Sequence, residues 1–176
     1  MKKFLVVLMF FGLVLAHQPF FNSGSPTRET AFVIANPEVS KVITAESRTG
    51  SRNWYALEVK QNFILDVALF VGANCPKAFQ PRLYLIGRNL KDPVPFVIPE
   101  NMGGLAGANT WSDYSGHGVV ARKSPTLEKR LDAGQYYLVV DHGQSKGWYF
   151  LSLGGSEISG GTSEGRSALS RFNRCG

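Results

Sequence analysis

The chain has 176 residues, with 19 Lys and Arg against 13 Asp and Glu, 44% hydrophobic residues and 18% charged ones. This is one domain's worth of chain with enough apolar surface to offset chain entropy, which excludes wholesale disorder. No internal repeat runs through it and no second apolar block follows a linker, so solenoids, propellers and multidomain enzymes are excluded as well.

Residues 1–16, two lysines followed by an apolar run ending in Val14-Leu15-Ala16, read as a bacterial secretory signal peptide cleaved after Ala16. The run is too short to span a bilayer, and no later stretch is long and apolar enough to do so. The expectation is an exported protein, periplasmic or extracellular, with no stable membrane span after cleavage. Lys2 and Lys3 leave with the signal, so part of the positive excess belongs to targeting. The remaining basic residues are scattered, which argues against nucleic acid as a partner.

Residues 17–38, broken by Pro19, Pro26 and Pro37, read as an extended N-terminal arm whose short apolar stretch at 31–35 adds one strand. From Val39 the pattern becomes β. Runs rich in branched and aromatic residues cover 39–45, 54–59, 63–71 and 82–86, punctuated by turn residues such as Gly50, Asn53, Asn62 and Gly87. Residues 93–118, with three prolines and the Gly103-Gly104 pair, read as a long irregular connection, the place where β scaffolds usually carry binding surfaces. Strands at 126–131, 135–141 and 148–153 follow, separated by turns at Asp132-Ala133-Gly134 and after His142. The pattern predicts an all-β, single-domain antiparallel β-sandwich, jelly-roll-like, over residues 39–155 with roughly seven to nine strands. Residues 156–176, rich in Gly and Ser, read as a flexible tail.

The segment from Leu131 to Val140, followed by Gly147 to Glu157, resembles the closing hairpin of jelly-roll domains of the bacterial pre-peptidase C-terminal type, accessory modules on secreted proteins. The chain also resembles a poorly characterised family of exported β-sandwich proteins. The residues that carry this likeness are Ala16-His17-Gln18-Pro19 at the signal junction, Pro37-Glu38-Val39-Ser40 before the first strand, and the same closing hairpin. Both resemblances imply fold and compartment only.

Cleavage after Ala16 would make His17 the first residue, whose α-amino group and imidazole can chelate one copper ion while a second histidine completes a three-nitrogen site. This resembles the histidine brace of lytic polysaccharide monooxygenases and the copper site of periplasmic copper carriers. The candidate second ligands are His142 and His117. Asp141 adjoins His142, whereas the carriers place one residue between acid and histidine, and neighbours on a strand point to opposite faces. The bland alternative is that His17 marks only where the peptidase stops, with His117 and His142 solvated in turns.

Ser115 and His117 near Asp113 invite a hydrolase reading, but neighbours on one loop seldom supply triad geometry. Asp92, Asp113, Asp132 and Asp141 lack the spacing of a calcium loop. Trp111 and Tyr114, in the long connection, are the candidate aromatic contacts for a ligand such as a sugar, whereas Trp54 and Trp148 read as core. Cys75 and Cys175 are an even pair in an exported chain. A bridge would close a large loop, worth on the order of 4–5 kcal/mol, and the alternative is that Cys175 never leaves a polar tail. The leading expectation is a non-catalytic module without cofactor, contacting an extracytoplasmic protein or polysaccharide through 93–118. The alternative is a copper-binding protein using His17.

Overall fold

The computed structural model describes residues 17–144 and 146–175. The signal peptide expected at 1–16 lies outside the described residues. The chain forms an all-β sandwich of two sheets. The strands are β1 (Gln18–Asn22), β2 (Phe32–Ile34), β3 (Lys41–Ser47), β4 (Arg52–Val59), β5 (Phe63–Gly72), β6 (Arg82–Gly87), β7 (Gly103–Ala106), β8 (Ser112–Gly116), β9 (Val119–Lys123), β10 (Leu127–Leu131), β11 (Gly134–Asp141) and β12 (Gly147–Leu153). The first sheet runs β1-β3-β12-β5-β9-β8, with β10 pairing the start of β5. The second runs β2-β4-β11-β6-β7.

Two features depart from a purely antiparallel sandwich, and both arise in the segment read as an arm. β1 pairs with β3 and β2 with β4, each in parallel. Parallel neighbours need a crossover rather than a hairpin. The chain supplies one by leaving β1 for the other sheet, laying down β2, and returning to β3 beside β1. The arm thus contributes an edge strand to each sheet. Residues 93–118, read as one irregular connection, contain β7 and β8, so the strand count exceeds the expected range.

The interior between the sheets is filled by Ile43, Leu57, Leu69, Leu85, Leu138 and Leu151, with their neighbours of the same parity. β5 shows how the outer faces are treated. Exposed and buried residues alternate from Ile64 to Val67, and then every residue from Ala68 to Gly72 is buried. Alternation is the mark of one covered face, and its loss means that both faces are covered. Each sheet carries an apolar outer patch. On the second sheet Trp54, Tyr84, Ile86 and Val139 are covered by residues 94–102, with Phe96 packed edge-on against both Trp54 and Tyr84. On the first sheet Val42, Ala68, Phe70, Ala121 and Phe150 meet Phe172 from the C-terminus.

The C-terminal segment is therefore docked, in contrast to the flexible tail expected. Thr162 caps a short helix, α1 (Ser163–Ala168), its hydroxyl accepting from the Gly165 amide at 3.0 Å, and a 3-10 turn (Leu169–Asn173) follows. Ala168 and Phe172 are buried. Cys175 is bonded to Cys75 with Cα atoms 5.3 Å apart, which fastens the end of the chain beside β5. The physical reason is that a few apolar residues at helical spacing, tied at one end by the disulfide, suffice to hold a Gly- and Ser-rich segment on an apolar face.

Candidate functional site

The β8–β9 hairpin turns at His117 and Gly118, with φ of 50° and 73°. Two successive positive φ values define the tight hairpin turn that matches strand twist, a site where Asn and Gly sit at least cost. β9 pairs with β5 only from Ala121 to Lys123. Beyond Ala121 the hairpin leaves the sheet plane. β1 lies four strands from β9, about 19 Å in a flat sheet at strand spacing, yet the rings of His17 and His117 stand edge to face with centroids 6.2 Å apart. The hairpin therefore arches over the outer face and its tip meets the start of β1. His17 is also tied to Ser40, just before β3, through a hydrogen bond between Nδ1 and the Ser40 hydroxyl.

Under this arch lies a cavity of about 330 Å³. Its floor is an aromatic cluster on the sheet. Phe70 and Phe150 are cross-strand partners and stack at 4.6 Å, Tyr114 meets Phe70 edge-on at 5.1 Å, and Phe172 closes the C-terminal side at 5.0 Å from Phe150. Lys123, opposite Phe70 in register, carries its ammonium over the Phe70 ring at 5.7 Å and the Tyr114 ring at 6.0 Å. Among the described residues no acidic side chain lines the cavity.

Of the residues singled out from sequence, His17, His117 and Tyr114 converge here, and His142 and Trp111 do not. His142 is 2% exposed, its Nδ1 accepting from the Arg48 amide at 3.0 Å and lying 2.9 Å from the Ser51 hydroxyl. Burial pushes its pKa down to about 4, so the ring is neutral, and Nε2 is buried without a hydrogen-bond partner. The solvated-loop reading of His142 is thus replaced by a core position closing the 48–51 turn. The Ser51–His142 contact lacks the orienting carboxylate of a nucleophile–base pair, because Asp141 bonds Arg52 and the Gly143 amide.

Trp111 is half-buried against the core, its indole N–H donating to Asn109 at 3.0 Å and its ring facing the Arg122 guanidinium. It is therefore no open sugar platform. Within the rest of the 93–118 connection, Val94, Phe96, Ile98 and Met102 pack onto the second sheet, and residues 103–106 and 112–116 form β7 and β8. Ser115 and Asp113 have the opposite parity on β8 from Tyr114 and Gly116, which line the cavity, so they point away from His117. Among the described residues no three His, Cys, Asp or Glu side chains converge as a metal-binding group. Sequence reading missed Phe70, Lys123, Phe150 and Phe172. The available signal was the uninterrupted apolar run at the end of β5, which says that a second face of the sheet is covered.

No family model matches the chain, and no curated protein matches it. Among solved structures, it is similar to the pre-peptidase C-terminal domain of a collagenase from Bacillus anthracis, at 15% identity and a TM-score of 0.42, over 70% of this chain and 93% of that one. Among the described residues no helix is long and apolar enough to cross a membrane.

Proposed function

We propose that this chain is an exported, non-catalytic binding module whose ligand site is the cavity beneath the β8–β9 arch. The observation that carries the reading is the meeting of His17 and His117 above an aromatic floor, which turns an outer sheet face into a partly covered, mostly apolar site of ligand-binding size. A protein or polysaccharide partner reached through residues 94–102 has less support, because Val94, Phe96, Ile98 and Met102 pack onto the second sheet; the part of the 93–118 connection that lines the cavity is β8 and its turn, with Tyr114, Gly116 and His117. Ligand-observed NMR with a library of small apolar molecules tests the site. Binders should lose their signal when Ser152→Phe fills the cavity floor, and binders unaffected by that change would refute the location.

Copper is a second reading, favoured by one observation: His17 faces His117 rather than lying apart from it. With cleavage after Ala16, the His17 α-amine, His17 Nδ1 and the His117 imidazole would offer three nitrogens to copper(II), with His17 giving up its bond to Ser40. His142 has no part in such a site. Calorimetric titration of the mature protein beginning at His17 tests it. Tight binding that disappears in His117→Ala and in a chain with Met left before His17 supports copper, and absence of binding removes it. Intact mass of the exported protein checks the N-terminus in the same preparation.

A further inference from the structure

We infer that the cavity takes a small free monocarboxylate with an apolar body, Lys123 supplying the countercharge. This rests on the reading of the cavity as the ligand site. At about 330 Å³ the cavity lies at the small end of ligand pockets, which suits a molecule the size of a medium-chain fatty acid or a phenylpropanoid acid rather than a polymer segment.

The walls select an apolar body. Phe70, Phe150, Tyr114 and Phe172 present ring faces and edges, and a sugar placed among them would leave several hydroxyls without partners. The charge at the site is equally one-sided. Lys123 has no ion-pair partner among the described residues, and its ammonium is held over two rings that weaken its hydration without neutralising it. An anion entering beside it meets a single cation already partly desolvated, with the His117 imidazole available at the arch as a further hydrogen-bond donor. Among the described residues one lysine and no arginine line the site, which suits a singly charged carboxylate. Phosphate recognition favours forked guanidinium pairs, and no arginine lines the cavity among the described residues.

The test uses the full mature protein and three ligands of matched body: octanoate, octan-1-ol and octylammonium. Calorimetry should show octanoate binding at least about tenfold more tightly than octanol, the scale of one hydrogen bond to a charged group, with octylammonium weaker than both. Lys123→Met should abolish the preference while retaining octanol binding, Lys123→Arg should keep it, and Ser152→Phe should remove all binding. The ligand ranking on the unsubstituted protein stands without any variant, so a poorly folding Lys123→Met leaves the proposal testable. Octanol binding as tightly as octanoate, or octanoate binding unchanged in Lys123→Met, overturns the carboxylate class while the cavity remains the site. Failure of all three ligands to bind, or binding that survives Ser152→Phe, overturns the carboxylate inference; survival also moves the ligand site elsewhere.

Discussion

Acidification should weaken this fold through His142, and replacing that one side chain should remove the effect. The imidazole is neutral in the folded protein, with a pKa of about 4 against the ordinary 6.5, because burial disfavours its charged form. In the unfolded chain the same ring charges as pH falls through 6.5. Between the two values protons bind the unfolded state in preference, so stability is complete above about 6.5 and is lost as pH falls toward 4. At ~1.4 kcal/mol per pH unit, the loss between about pH 7.5 and about pH 4.5 is roughly 2 to 3 kcal/mol. The assay is urea unfolding followed by tryptophan fluorescence at both pH values, with the disulfide intact. His142→Asn keeps an acceptor for the Arg48 amide but cannot titrate, so the surface carboxylates cancel in the comparison. The wild type should lose roughly 2 to 3 kcal/mol more than the variant across this interval. Equal losses would show that His142 does not titrate with a depressed pKa, and the argument from its burial would fail.

Breaking the Cys75–Cys175 bond, by Cys75→Ser with Cys175→Ser, reopens a loop of 100 residues and should cost on the order of 4–5 kcal/mol, read as a fall in the urea midpoint. Hydrogen exchange should show residues 163–173 losing protection before the sheets do. Gly165→Ala should release the same segment without touching the disulfide, because a Cβ there would lie 2.2 Å from the Pro19 carbonyl oxygen. The expected readout is faster exchange in α1 with the two-sheet core unchanged, and unaltered exchange would show that α1 does not rest on β1.

The interior strands were legible because their side chains say what they do. The runs at 39–45, 54–59, 63–71, 82–86, 135–141 and 148–153 became β3, β4, β5, β6, β11 and β12, the strands that build the interior of both sheets. What was not legible lies at the edges. β1 carries Pro19, which breaks an interior strand but is tolerated on an edge, and β7 is Gly103-Gly104-Leu105-Ala106, with little side chain to carry a pattern. α1 has six residues, too few for helix propensity to stand out against a Gly- and Ser-rich background. His17 and His117 were legible as candidates but not as neighbours. Their approach depends on β9 joining β5 only from Ala121 onward, leaving Val119 and Val120 off the sheet, a departure that no local residue choice announces. His142 misled because Asp141-His142 before a strand suggests a ligand pair, whereas the ring is consumed inside the fold.

The two outer faces of the sandwich are covered differently, and the cover over the first sheet leaves a mostly apolar cavity against its aromatic patch. Over the second sheet, residues 94–102 send Val94, Phe96, Ile98 and Met102 inward, packing the aromatic patch with side chains. Over the first sheet, the arch brings Tyr114 and Val119 against the patch but sets Gly116 and His117 at its tip, and the C-terminal segment covers one side with Leu169 and Phe172. Concealing apolar surface would be served better by filling the space, since each unfilled region forfeits dispersion contacts. A cover that leaves about 330 Å³ beneath it trades stability for access. The trade can be measured in one variant. Ser152→Phe should raise the urea midpoint of the ligand-free protein while removing ligand binding. A variant that loses binding and stability together would instead mean that the arch and the sheet are already packed to their limit, with the cavity a consequence of that packing rather than a binding site.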